Sequence, residues 1–124
     1  MSELAKIAVT DEDELRVVAV GGEVDASNAD EVGSAALDSF PNSARGLILD
    51  LRELSYVDSA GIAFLFDAGE RLGRRGQTLV LVVTPGAAFR RALEVTEIDA
   101  ITPIFPTLEA ARAHVLPKGD ERTA

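Results

Sequence analysis

Apolar positions along this chain alternate between short, nearly unbroken runs and longer stretches in which every third or fourth residue is apolar. The first pattern marks strands and the second marks amphipathic helices. Two short runs, 6–9 and 15–20, flank the acidic turn Asp11-Glu12-Asp13-Glu14 and predict an opening hairpin. Gly21-Gly22 is expected to end its second strand. A helix should follow, with Ala29, Val32, Gly33, Ala36 and Phe40 as its buried stripe, Ser27 as its cap and Pro41-Asn42 as its stop. The run at 47–51 reads as an interior strand. After a loop, Ile62, Leu65, Phe66, Gly69 and Leu72 recur at helical spacing until Arg74-Arg75-Gly76, where cations and a glycine suit a helix C-terminus.

Residues 78–83 form a further apolar strand, and Thr84-Pro85 is expected to open a third helix with Ala88, Ala92, Leu93 and Val95 directed inward. The segment 101–105 is interrupted by Pro103, which places that strand at a sheet edge. Thr107 should cap a last helix that turns Leu108, Ala111 and Val115 to the core. Strands alternating with helices imply an α/β fold with a mixed, largely parallel sheet and helices packed on it. One domain over 1–116 is expected, followed by a charged, disordered tail over 117–124.

Composition narrows the function. The chain has 124 residues, and 12 basic against 21 acidic side chains give a net charge of −9. Such a surface argues against sequence-independent nucleic-acid binding and against direct contact with an anionic membrane, since both depend on Lys and Arg. Absence of cysteine removes disulfides, thiolate metal sites and cysteine nucleophiles. Neither a membrane-length apolar run nor a signal-peptide pattern is present, so a cytoplasmic location is expected.

The chemistry concentrates where the 47–51 strand gives way to a helix. Asp58 stands at an N-cap position, which puts Ser59 at the first helical residue among unpaired backbone N–H groups. A phosphate placed on that hydroxyl would meet the positive end of the helix. The plainer reading of Ser59 is a small polar residue suited to a helix start, and Asp25 and Asp58 can likewise be read as turn and cap residues. Val57-Asp58-Ser59-Ala60-Gly61 only half matches a nucleophile elbow, because Val57 replaces the first glycine. His114, the single histidine, lies late in the last helix and reads as solvated. Arg71, Arg74, Arg75, Arg90 and Arg91 could form an acidic-partner patch, but read better as solvated helix surface. No glycine-rich phosphate loop and no cluster with metal-ligand spacing occurs, so no cofactor and no enzyme activity are expected.

Gly22-Glu23-Val24-Asp25, Leu49-Asp50-Leu51 and Tyr56-Val57-Asp58-Ser59-Ala60-Gly61-Ile62, with the order of elements around them, resemble the signature of STAS domains. The resemblance runs from about Leu15 to about Leu116 and is strongest to the stand-alone anti-sigma factor antagonists of bacteria. It implies a protein that binds an anti-sigma factor with serine kinase activity and frees a sigma factor for transcription. Phosphorylation of the serine matching Ser59 would release the partner, and a serine phosphatase would reset it. Many relatives carry a second hydroxyl where this chain has Ala60, which leaves Ser59 as the only acceptor between Asp58 and Gly61. The implied partner surface comprises Asp25, Ser27, Asn28, Asp58, Ser59, Ala60, Gly61 and Ile62. An alternative from the same resemblance is an accessory subunit of a membrane transporter or a stress-signalling complex.

Overall fold

The computed structural model describes residues 4–116, so the tail expected over 117–124 lies outside the described residues. Six strands and four helices follow in the order β1 (Ala5–Asp11), β2 (Leu15–Val24), α1 (Ala29–Leu37), β3 (Gly46–Asp50), β4 (Leu54–Val57), α2 (Ser59–Arg74), β5 (Thr78–Val82), α3 (Arg90–Thr96), β6 (Ile104–Phe105) and α4 (Leu108–Val115). The opening hairpin is antiparallel, and every other strand pairing is parallel. Strand order across the sheet is β1-β2-β3-β5-β6, so the proline-interrupted β6 lies at an edge, as its sequence predicts.

Alternation along the central strands divides the core in two. Val18 and Val20, Leu47 and Leu49, and Leu79 and Leu81 pack with Leu65, Ala68 and Leu72 of α2, Val32 and Ala36 of α1, and Leu93 of α3. On the opposite face Leu15, Val17, Ile48, Val80 and Val82 meet Ala111 and Val115 of α4. Strands buried on both faces must be apolar throughout, which is why these runs show no polar alternation in sequence.

Several expectations need correction. Gly21-Gly22 does not end β2, which continues to Val24. Gly22 has a φ of +87°, and a Cβ there would collide with the Leu4 carbonyl, so the glycine lets the strand bend without breaking. Helix α1 ends at Leu37, so Phe40 is buried from beyond the helix, and the guanidinium of buried Arg16 lies over its ring. Arg16 also donates to the carbonyls of Ala36, Asp38 and Ser39, closing the C-terminus of α1. Ser27 is not at the cap position of α1; Asn28 stands there, without a side-chain capping bond.

Pro85 does not open a helix either. Two consecutive turns, with Ala87 N–H to Thr84 O and Arg90 N–H to Ala87 O, delay α3 until Arg90. The delay changes which residues face inward. Leu93 is buried together with Phe89 and Ile98, whereas Ala88, Ala92 and Val95 face solvent. Strand β4 is a short strand that the sequence pattern does not predict, and it places the site.

Candidate functional site

Strand β2 carries β3 along its first half and β4 along its last residues, where Val24 is in register with Val57. The two strands are parallel, so Asp25 and Asp58 leave the same end of the sheet side by side. The Asp58 amide donates to the Val24 carbonyl at 3.2 Å and ties the two strand ends together.

Asp58 then caps α2. Its Oδ1 accepts from the amides of Ala60 at 2.9 Å and Gly61 at 3.1 Å, and its carbonyl accepts from Ile62. The expectation of unpaired N–H groups around Ser59 is therefore corrected: the cap already occupies the amides of Ala60 and Gly61. Ser59 sits in the first turn of α2 with its side chain exposed.

Gly61 explains why α2 can start so close to the sheet. A Cβ there would overlap Val57 Cγ2 and lie 3.1 Å from Val24 Cγ1. The glycine is buried, and so is Asn28, so these two shape the site and present no side chain to a partner. Asp58, Ala60 and Ile62 are half-buried around the exposed Ser59.

The Asp25 turn is held by its own residues. Asp25 Oδ1 accepts from the amide of Ser27 at 2.9 Å and from its hydroxyl at 2.6 Å. These bonds hold the Asp25 carboxyl below the usual carboxylate range, the hydroxyl contributing most. Asn28 Oδ1 accepts from the Asp25 amide and its Nδ2 donates to the Glu23 carbonyl, so its side chain reaches back into the turn and does not cap α1. Ser27 is exposed and Asp25 half-buried.

The structure thus brings Asp25, Asp58 and Ser59 to one end of the sheet, with no Lys or Arg in the two segments that form it. His114 lies elsewhere: α4 packs on the opposite face of the sheet, and the His114 ring stands 5.2 Å from that of Phe105. A Ser59–His114 pair is therefore not assembled. Of the arginines, three have partners, Arg71 at 3.5 Å from Asp67, Arg90 at 3.3 Å from Glu94 and Arg75 on Asn42, while Arg74 and Arg91 are exposed. Among the described residues no group of His, Cys, Asp or Glu could hold a metal ion, and no helix is long and apolar enough to cross a membrane.

Comparison with known proteins agrees with this architecture. The family profile described as STAS domain matches residues 6–111. An anti-sigma-F factor antagonist, RsfB of Mycobacterium tuberculosis, is 26% identical over 105 residues, covering 85% of this chain and 84% of that protein. The crystal structure of an anti-sigma factor antagonist from Mycobacterium paratuberculosis superposes with a TM-score of 0.79 at 30% identity, over 90% of this chain and 93% of that one. The Bacillus cell fate determinant SpoIIAA, solved in its phosphorylated form, shares the fold at 18% identity with a TM-score of 0.67, over 89% of this chain and 99% of its own. With its family profile matched across the sheet and the helices that cover it, the chain belongs to the STAS domain family.

Proposed function

We propose that this chain is an anti-sigma factor antagonist, a cytoplasmic partner-switching regulator and not a catalyst. It binds an anti-sigma factor that is also a serine kinase, phosphorylation of Ser59 releases that partner, and a serine phosphatase restores binding. Sigma-factor-dependent transcription follows the unphosphorylated form. Asp25, Ser27, Ser59, Ala60 and Ile62 supply the contact surface, while Asn28, Asp58 and Gly61 fix its shape. The observation that carries this reading is an exposed Ser59 on a capped helix start, in a chain similar over most of its length to anti-sigma factor antagonists.

The electrostatics favour a local switch. A phosphate adds about −1.5 to −2 charge. The Asp58 cap has taken the Ala60 and Gly61 amides that could have neutralised it. Asp58 and Asp25 add repulsion from the adjoining strand ends. The new charge is therefore left for the docking surface to bear, and a clash of about 3 kcal/mol weakens binding more than about a hundredfold. No refolding of the domain is needed.

The test is incubation with the cognate anti-sigma kinase and ATP, followed by mass spectrometry. A single phosphate on Ser59, tight binding of Ser59→Ala and weak binding of Ser59→Asp are expected. A phosphate elsewhere, or equal affinity of the two variants, contradicts the assignment.

A further inference from the structure

Helices α1 and α2 do not close against each other along their outer edges. Between them runs an open groove of about 600 Å³ that starts beside Ser59, at Ala26 and Ala60, and continues towards Leu37 and Arg71. Small residues line its floor, Ala29 and Gly33 on one helix and Ala63 on the other, around the ring of Phe64. A Cβ on Gly33 would stand 3.1 Å from that ring, so the missing side chain lets the aromatic lie down and keeps the groove open. The rim is acidic. Asp30 and Asp38 line the α1 side and Asp67 the α2 side. Arg71 lies 3.5 Å from Asp67, and among the described residues no cation is paired with the side chain of Asp30 or Asp38.

We infer that this groove is a second docking surface for the same partner, taking a segment with apolar side chains flanked by Lys or Arg. The inference rests on the proposed antagonist function and adds a surface that phosphorylation does not touch. Two features select this occupant. An apolar floor under a carboxylate rim complements a basic amphipathic segment, and a second copy of this chain, with its net charge of −9, would be repelled. The groove is also continuous with the Ser59 surface, so one partner could span both. Asp67 lies two helical turns beyond Ser59, about 12 Å at about 1.5 Å per residue, far enough for the two surfaces to be probed separately. Apolar contact would hold the partner while the rim charges set register and association rate.

The experiment uses the full chain and its cognate anti-sigma kinase. Ser34→Arg places a long cation in the groove from an exposed position on α1, and Asp67→Lys reverses the rim from α2. Each is expected to weaken the complex by about tenfold and to raise the KM for Ser59 phosphorylation at unchanged kcat. Affinity of the wild-type chain should fall between about 0.05 M and about 0.3 M salt, more steeply than that of Asp67→Lys. Circular dichroism melts check that each variant is folded, and either variant alone suffices. Binding and KM within about twofold of wild type for both variants would overturn the groove while leaving Ser59 in place. A wild-type chain that neither binds nor is phosphorylated would overturn both proposals. A wild-type dimer that Ser34→Arg dissolves would assign the groove to self-association instead.

Discussion

The amide of Asp58 donates to the carbonyl of Val24 at 3.2 Å, and this one bond sets the start of α2 against the end of β2. The aspartate therefore acts twice: its backbone joins two strand ends, and its side chain starts a helix. Ser59 inherits its position from both.

Replacing Asp58 by Ala should remove the cap from the first turn of α2 and cost about 1 kcal/mol, whereas Asp58→Asn should retain most of the stability. Urea denaturation with a shared m-value checks this. Equal midpoints for wild type and Asp58→Ala would mean that the Ala60 and Gly61 amides find water without loss.

Gly61→Ala should push the first turn of α2 away from Val57 and Val24. Overpacking at such a contact costs about 1–3 kcal/mol. The double variant with Val57→Ala should recover part of the loss, and a double-mutant cycle measures how much. If the losses simply add, the two side chains do not meet.

Arg16 is buried at the C-terminus of α1, where it bonds three carbonyls and Asp11. Arg16→Met should cost on the order of 3 kcal/mol, because the buried Ala36 carbonyl and the part-buried carbonyls of Asp38 and Ser39 lose their donor. Fluorescence is a poor probe without tryptophan, so circular dichroism melts are the measurement.

Acid should weaken the fold. Bonds from Arg16 hold the Asp11 carboxyl below its ordinary 3.8, Ser27 does so for Asp25, and Arg52 for Asp50, although burial opposes each shift. A carboxylate depressed in the folded state stabilises it above the unfolded value, and that contribution is lost as pH falls through the folded one. Stability should therefore be level near neutrality and decline below about pH 4. Arg16→Met should flatten the decline, and an unchanged acid profile would remove Asp11 from this account.

Glu97 adopts a φ of +59° at the end of α3, a conformation that costs a residue with a Cβ about 1 kcal/mol. Glu97→Gly is expected to raise the melting temperature by a few degrees, because relief of that strain exceeds the added freedom of the unfolded chain. A lower melting temperature would show that the Glu97 side chain contributes more than its backbone costs.

The sequence carried the order of elements because strands buried on both faces and helices buried on one leave different apolar rhythms. It also carried the Asp58 cap and the exposure of Ser59, since both depend on residues within one turn of helix. Strand β4 escaped because Leu54-Ser55-Tyr56-Val57 is short and half polar, and it becomes a strand only by pairing with the end of β2. The late start of α3 escaped for a related reason: Pro85 fits a helix start and a turn equally well, and the packing of Phe89 and Leu93 decided between them.

Local chemistry alone thus determined the alternation of strands and helices, the acidic surface and the serine at a capped helix start. Tertiary structure decided which neighbours that serine has. Only pairing of β4 with β2 brings Asp25 beside Asp58, and only the packing of Gly61 and Gly33 sets α2 against the strand ends and opens the groove to α1. Those relationships join residues far apart in the chain, and no short-range pattern can encode a contact whose second partner it does not contain.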